Sequence, residues 1–188
     1  MSMTLEEVIH ETETKMHKAI EAATHDFASV RTGRASTALL DRLLVDSYGQ
    51  MVPLKQVAGV ATPDARTISI SAWDRGVVGA IRKAIETSDL GLTPNIDGST
   101  IRLQIPPLNE ERRKELVKIV RKKAEDAKVA VRNIRHKGVD ELKTLHKATS
   151  ITEDEQKRAA ERIQKLTDRF TKEIDSLVER KEHEILEV

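Results

Sequence analysis

The stretch AEDAKVAVRNIRHKGVDELKTL, residues 124–145, carries two helical patterns that ask for different surroundings. At about 100° per residue, Val120, Ala124, Ala127, Val131, Ile134, Leu142 and Leu145 fall on one face, and that face must be buried. On the same wheel Lys114, Lys118, Arg121, Lys128, Arg132 and Arg135 gather about a quarter turn or more away, on a stripe interrupted by Glu111 and Glu125. Such a helix needs companion helices on one side and presents a line of positive charge on the other.

The remaining sequence supplies the companions. Thr4 and Glu7 form a capping box that starts a first helix, along which Leu5, Ile9, Thr12, Met16, Ile20, Ala23, Phe27 and Val30 recur at three- and four-residue steps. Gly33 is expected to stop it. Asn109 caps the acid-first start of the opening helix, which is expected to run to about His146, with Gly138 as its weak point. A turn at 148–150 follows. Thr152 and Glu155 then form a second capping box, beginning a helix with Ala160, Ile163, Leu166, Phe170, Ile174, Leu177 and Ile185 at helical spacing.

Residues 31–105 break this regularity. A short helical piece is expected from Ala35 to Leu44, then two strands about a Tyr48-Gly49 turn, and a strand over RTISISAW. Asp74 caps a helix from Arg75 to Thr87 with Val77, Val78, Ile81 and Ile85 inward and Gly91 at its stop. A hairpin about Asp97-Gly98 closes the segment. The expected fold is therefore α+β: a long three-helix bundle from residues 1–30 and 106–188, with an inserted β/α/β domain at 31–105. The connections, Arg31-Thr32-Gly33-Arg34 and 105–108 with Pro106-Pro107, are short and suit a hinge.

Charge is unevenly spread along the 188 residues. Residues 106–149 hold 13 Lys/Arg against 7 Asp/Glu, a net +6, whereas residues 1–30 hold 2 against 6 and residues 150–188 hold 8 against 11. A localised anionic partner is implied. With aromatics at 2%, base stacking has little to work with, which leaves phosphate and shape recognition. The arginines at 132 and 135 offer bidentate donors suited to phosphate, where solvation alone would accept lysine.

Other chemistry finds no support. There is no cysteine, so disulfides are excluded. The N-terminal residues are acidic where a signal peptide is basic, and no apolar run approaches the ~20 residues of a membrane span, so a soluble, unprocessed cytoplasmic chain is expected. No phosphate-binding glycine loop occurs, and the nearest metal motif is a single Glu7-x-x-His10. No enzyme, cofactor or metal is expected. The competing reading is a charged helical scaffold whose seam stays open to a coiled-coil protein partner.

The blocks RTGRAS (31–36), WDR (73–75), SDLGLTPNIDGSTIRLQIPPLNEERRKEL (88–116) and AVRNIR (130–135) stand in an order that resembles the ribosome recycling factor family over essentially the full length. The resemblance implies an L-shaped, tRNA-like, monomeric molecule. It would bind the post-termination 70S-type ribosome at large-subunit ribosomal RNA and, with the GTPase elongation factor G, split it into subunits and release it from mRNA. The family's key arginine falls on Arg132, with Arg135 beside it. Lys118, Arg121, Lys122 and Lys128 complete the expected RNA-binding set. Arg31, Thr32, Gly33, Arg34, Pro106 and Pro107 fall at the elbow. Departures from the family pattern occur at Ser47, Thr37, Ala72, Asn109 and 136–139.

Overall fold

A computed structural model describes residues 3–148 and 150–187. The chain divides into two compact units, Met1–Phe27 with Val120–Lys181 and Ala28–Ile119 with Glu182–Val188. The division passes through one helix between Ile119 and Val120, not at the expected connections, and both of those connections lie inside the second unit.

The first unit is built from α1 (Leu5–Ala28), most of α3 (Glu110–Lys147) and α4 (Glu153–Leu186). Local chemistry sets their starts. Thr4 N–H donates to Glu7 Oε2 at 2.8 Å while Glu7 N–H donates to Thr4 Oγ1 at 3.2 Å, and Thr152 and Glu155 repeat the exchange at 3.2 and 3.1 Å. Asn109 Oδ1 accepts from Arg112 N–H at 2.7 Å. The expected turn at 148–150 includes Thr149, which lies outside the described residues.

One end of this unit's core joins Val8 and Ile9 of α1, Leu142 and Leu145 of α3, and Ala159 and Ile163 of α4. Val120, Val131 and Phe170 are also fully buried. The seam of α3 is thus covered within the chain, and the open seam that a coiled-coil scaffold requires is not present among the described residues. Surface pairs fasten α4 to α1: Arg162 grips Glu6 with both terminal nitrogens at 2.7 and 3.1 Å, and Arg169 reaches Glu13 at 3.3 Å. Exposed pairs of this kind contribute ~0.2–1 kcal/mol each, so apolar packing dominates.

Gly138 does not interrupt α3. It is buried where three helices meet, and a Cβ built there would lie 2.7 Å from Thr12 Oγ1 and 3.2 Å from Ile163 Cδ1. Thr12 cannot easily give way, because its hydroxyl donates to Val8 O at 2.7 Å. Gly138→Ala is expected to cost about 1–2 kcal/mol, with steric strain outweighing alanine's helix preference of ~1 kcal/mol. In a Thr12→Ala background the same change should become neutral or stabilising. Thermal unfolding of the four proteins of this cycle gives the coupling, and additive losses would show that Thr12 is not the obstacle.

The second unit holds two antiparallel sheets. β1 (Leu44–Ser47) and β2 (Gln50–Pro53) form a hairpin whose turn residues Tyr48 and Gly49 both have positive φ, 52° and 88°. The four-stranded sheet runs β3-β4-β6-β5, with β3 Ala58–Asp64, β4 Thr67–Ala72, β5 Pro94–Asp97 and β6 Thr100–Gln104. Ile68 and Ile70 of β4 and Ile101 and Leu103 of β6 share a core cluster with Ile81 and Ile85 of α2 (Val78–Thr87). Three local expectations change. The piece expected from Ala35 to Leu44 is only a 3-10 turn at Thr37–Leu40, capped by Ser36, because Leu44 already pairs with Pro53. The helix expected from Arg75 begins as a 3-10 turn and becomes α only at Val78. β3 was not anticipated.

Asp74 connects two parts of this unit. One carboxylate oxygen accepts from Gly76 N–H at 2.9 Å, and the other accepts the Tyr48 hydroxyl at 2.5 Å. The phenol and then the amide hold this carboxyl below its ordinary range. The hairpin turn is thereby tied to the approach to α2.

Candidate nucleic-acid interface

The expected connections meet in space. Arg31 is 8% exposed, and its Nη2 donates to Pro106 O at 3.1 Å across 75 residues of sequence. Burial lowers its pKa, and the neighbouring Arg112 charge lowers it further. Thr32 Oγ1 accepts from Arg34 N–H at 3.2 Å, turning the chain locally, while Gly33 has open space where a side chain would be. Ile105, buried in the sheet unit's core, donates its N–H to Arg66 O at 2.7 Å. A glycine-containing segment on one side and a proline pair on the other are joined by one arginine.

On α3, all six expected RNA-binding residues lie outside the buried seam, but they form two files. Arg121, Lys128 and Arg135 recur every seven residues, and at 3.6 residues per turn such a file drifts by only about 20° per heptad. Lys128 and Arg135 run closer to the seam than a quarter turn, on the shoulder where they reach α4. Lys128 Nζ contacts Asp175 of α4 at 2.6 Å and its side chain is only 23% exposed. Arg135 Nη1 donates to Gln164 Oε1 of α4 at 3.5 Å, and its Nη2 lies 3.4 Å from His136 Nε2. Lys118, Lys122 and Arg132 lie further round and are exposed. There Arg132 Nη1 pairs with Glu125 Oε1, two turns back, at 3.1 Å.

These pairings grade the stripe. Lys128 is held by a carboxylate in a half-buried setting, and Arg132 by one in water, where screening leaves the attachment weak. Arg135 makes no ion pair among the described residues, and its contact on α4 is a neutral amide. Asp175 and Gln164 were not singled out from the sequence, since a polar residue on the outer face of a charged helix carries no mark of the helix it will meet. Glu125 was visible as an interruption of the stripe, and the structure makes it a partner. What the face can do chemically is bind anions along a line of about 1.5 Å rise per residue, with Lys128 and Arg135 in contact with α4 on one edge and Lys118, Lys122 and Arg132 exposed on the other.

Among the described residues no group of three or more His, Asp or Glu side chains is arranged to hold a metal ion, and no helix is long and apolar enough to cross a membrane.

A helical unit with a cationic face and a unit built on a small antiparallel sheet place the chain in the class of two-unit α+β proteins. The family described as ribosome recycling factor matches residues 23–186. A ribosome-recycling factor of Thermosynechococcus vestitus is 55% identical over 176 residues, covering 94% of this chain and 97% of that one. Another, from Oleidesulfovibrio alaskensis, is 51% identical over 184 residues, covering 98% and 100%. Among solved structures, a ribosome recycling factor in solution superposes with a TM-score of 0.75 at 45% identity, each chain fully covered. A second has a TM-score of 0.65 at 50% identity, with 98% of this chain and 100% of that one covered. It is described as models of the Thermus thermophilus ribosome recycling factor and the Escherichia coli elongation factor G bound to the E. coli post-termination complex. The chain belongs to the ribosome recycling factor family. Membership makes it a translation factor and not an enzyme.

Proposed function

We propose that this chain binds the post-termination ribosome of the bacterial cytoplasm as a monomer, through the basic face of α3, and that with elongation factor G it drives the subunits apart. The observation that carries the binding step is the file of cations on α3, above all Arg135, which contacts a neutral amide of α4 and no carboxylate among the described residues. Arg132, Arg121, Lys118, Lys122 and Lys128 extend the same contact along the ribosomal RNA backbone. Phosphate recognition needs no aromatic platform, in keeping with the scarcity of aromatics.

The splitting step makes or breaks no covalent bond in this chain. The division of labour we infer is a bundle of residues 1–30 and 106–188 that anchors on RNA and a domain of residues 31–105 on which the GTPase pushes. The hinge lies at 31–34 and 105–108, where Arg31 joins the two connections through the Pro106 carbonyl. A single hydrogen bond from a guanidinium to a carbonyl is worth ~1.5–3 kcal/mol, small beside the work available from GTP hydrolysis, so the tie can be broken and remade.

The test uses the full-length chain, purified bacterial ribosomes and elongation factor G with GTP. The chain should co-sediment with ribosomes and, when the GTPase is added, convert them to subunits. A disulfide engineered between the 31–34 and 105–108 connections should leave co-sedimentation intact and stop the conversion until it is reduced. Failure to sediment with ribosomes would end the binding reading, and full splitting by the oxidised form would end the lever.

A further inference from the structure

We propose that Gln164 of α4 is a positioning residue for RNA binding, a neutral amide that fixes the Arg135 guanidinium without cancelling its charge. This rests on the reading above that Arg135 meets ribosomal phosphate. Gln164 Oε1 accepts from Arg135 Nη1 at 3.5 Å, and one turn further along α4 its Nε2 donates to Asp168 Oδ1 at 3.0 Å. The two neighbours dictate the amide's orientation: a guanidinium can only donate and a carboxylate can only accept, so the oxygen must face Arg135 and the nitrogen Asp168. A relay Asp168–Gln164–Arg135 results, in which the carboxylate that orients the set is kept one side chain away from the cation.

A glutamine is required for this arrangement. Glutamate at 164 would form an ion pair with Arg135 and repel Asp168, and an apolar residue would leave the guanidinium to wander. The other cations on the face show the alternative, since Lys128 and Arg132 are each held by a carboxylate at 2.6 and 3.1 Å. A long flexible side chain loses rotamer freedom when it binds, and one already fixed in the folded protein loses less. Gln164 and Asp168 are themselves exposed, so both can be replaced with little cost to the fold.

The experiment measures equilibrium binding of the full-length chain to purified bacterial ribosomes across a salt series, together with thermal unfolding. Gln164→Glu should weaken binding about tenfold and lower the slope of log affinity against log salt by about one, as Arg135→Ala does, because one cation is lost to the interface. Gln164→Met should weaken binding by only about threefold with an unchanged slope, because order is lost and charge is not. Neither should shift the melting temperature. Parental affinity in either Gln164 variant, with Arg135→Ala impaired, overturns the positioning role alone. Parental affinity and slope in Arg135→Ala overturn the RNA role of Arg135 and this inference with it.

Discussion

Phe170→Ala should cost about 3–5 kcal/mol and lower the melting temperature by on the order of 10 °C, the largest single loss expected in this chain. The ring is fully buried, the edge-on His17 ring lies 4.7 Å from its centroid, and the Arg169 guanidinium stands 4.6 Å above it. Removing it deletes the apolar burial and also the partner of two polarised groups, so the void has poorly matched walls that cannot collapse cheaply. Phe170→Leu should recover more than half of the loss. Denaturant titration followed by far-UV circular dichroism reads the change, with a lower midpoint and an unaltered slope expected. A loss below about 1 kcal/mol would mean that α1 and α4 close over the gap, contrary to their fastening at Glu6–Arg162 and Glu13–Arg169.

Arg135→Ala should weaken ribosome binding by about 1–3 kcal/mol and reduce its salt slope by about one, with the fold intact. Arg132→Ala should cost the same or less. Its guanidinium must first leave Glu125, which offsets part of the gain from phosphate, up to the ~1 kcal/mol of an exposed pair. The ranking matters because the family resemblance places the key arginine at Arg132, whereas the pairings on this surface favour Arg135. Filter or sedimentation binding at several salt concentrations decides between them. A markedly larger effect at Arg132 would show that the RNA reads the outer file, and equal affinity in all three proteins would remove both arginines from the interface.

What was legible in the sequence was mostly local. The capping pairs Thr4–Glu7 and Thr152–Glu155 and the Asn109 cap fixed three helix starts, because the partners lie within three residues of each other. Periodicity found the three seams but shifted some of their members. Val8 and Ala159 are more deeply buried than Leu5 and Ala160, and Thr12 and Thr167 enter the core by donating their hydroxyls to the carbonyls four residues back. Spacing alone put Thr12 on the seam of α1, whereas Thr167, satisfied in the same way, was not singled out. β3 was missed because AGVATPD has neither clean alternation nor branched residues throughout, and it becomes a strand only by pairing with β4. Gly138 was misread for a related reason. A glycine weakens a helix in isolation, but here the missing side chain is the space that Thr12 and Ile163 occupy. The cations of the interface were legible as a stripe. Their ranking depends on Asp175, Gln164 and Glu125, two of which belong to a helix some forty residues away in sequence.

The charge pattern of the first unit also bears on how quickly the protein finds its target. α1 carries Glu6, Glu7, Glu11, Glu13, Glu21 and Asp26 against only Lys15 and Lys18, while the part of α3 in the same unit carries a clear excess of cations. Packed helices stand about 8–10 Å apart, comparable with the ~8 Å screening length at physiological salt, so the two faces do not cancel at close range. Anions are in excess on α1 and cations on α3, so charge is unevenly distributed about this unit. In the field of a polyanion such a body experiences a torque that turns α3 inward and α1 outward before any atom touches. A rod with the same charge evenly spread would meet the RNA in random rotational settings, and most of its collisions would be unproductive.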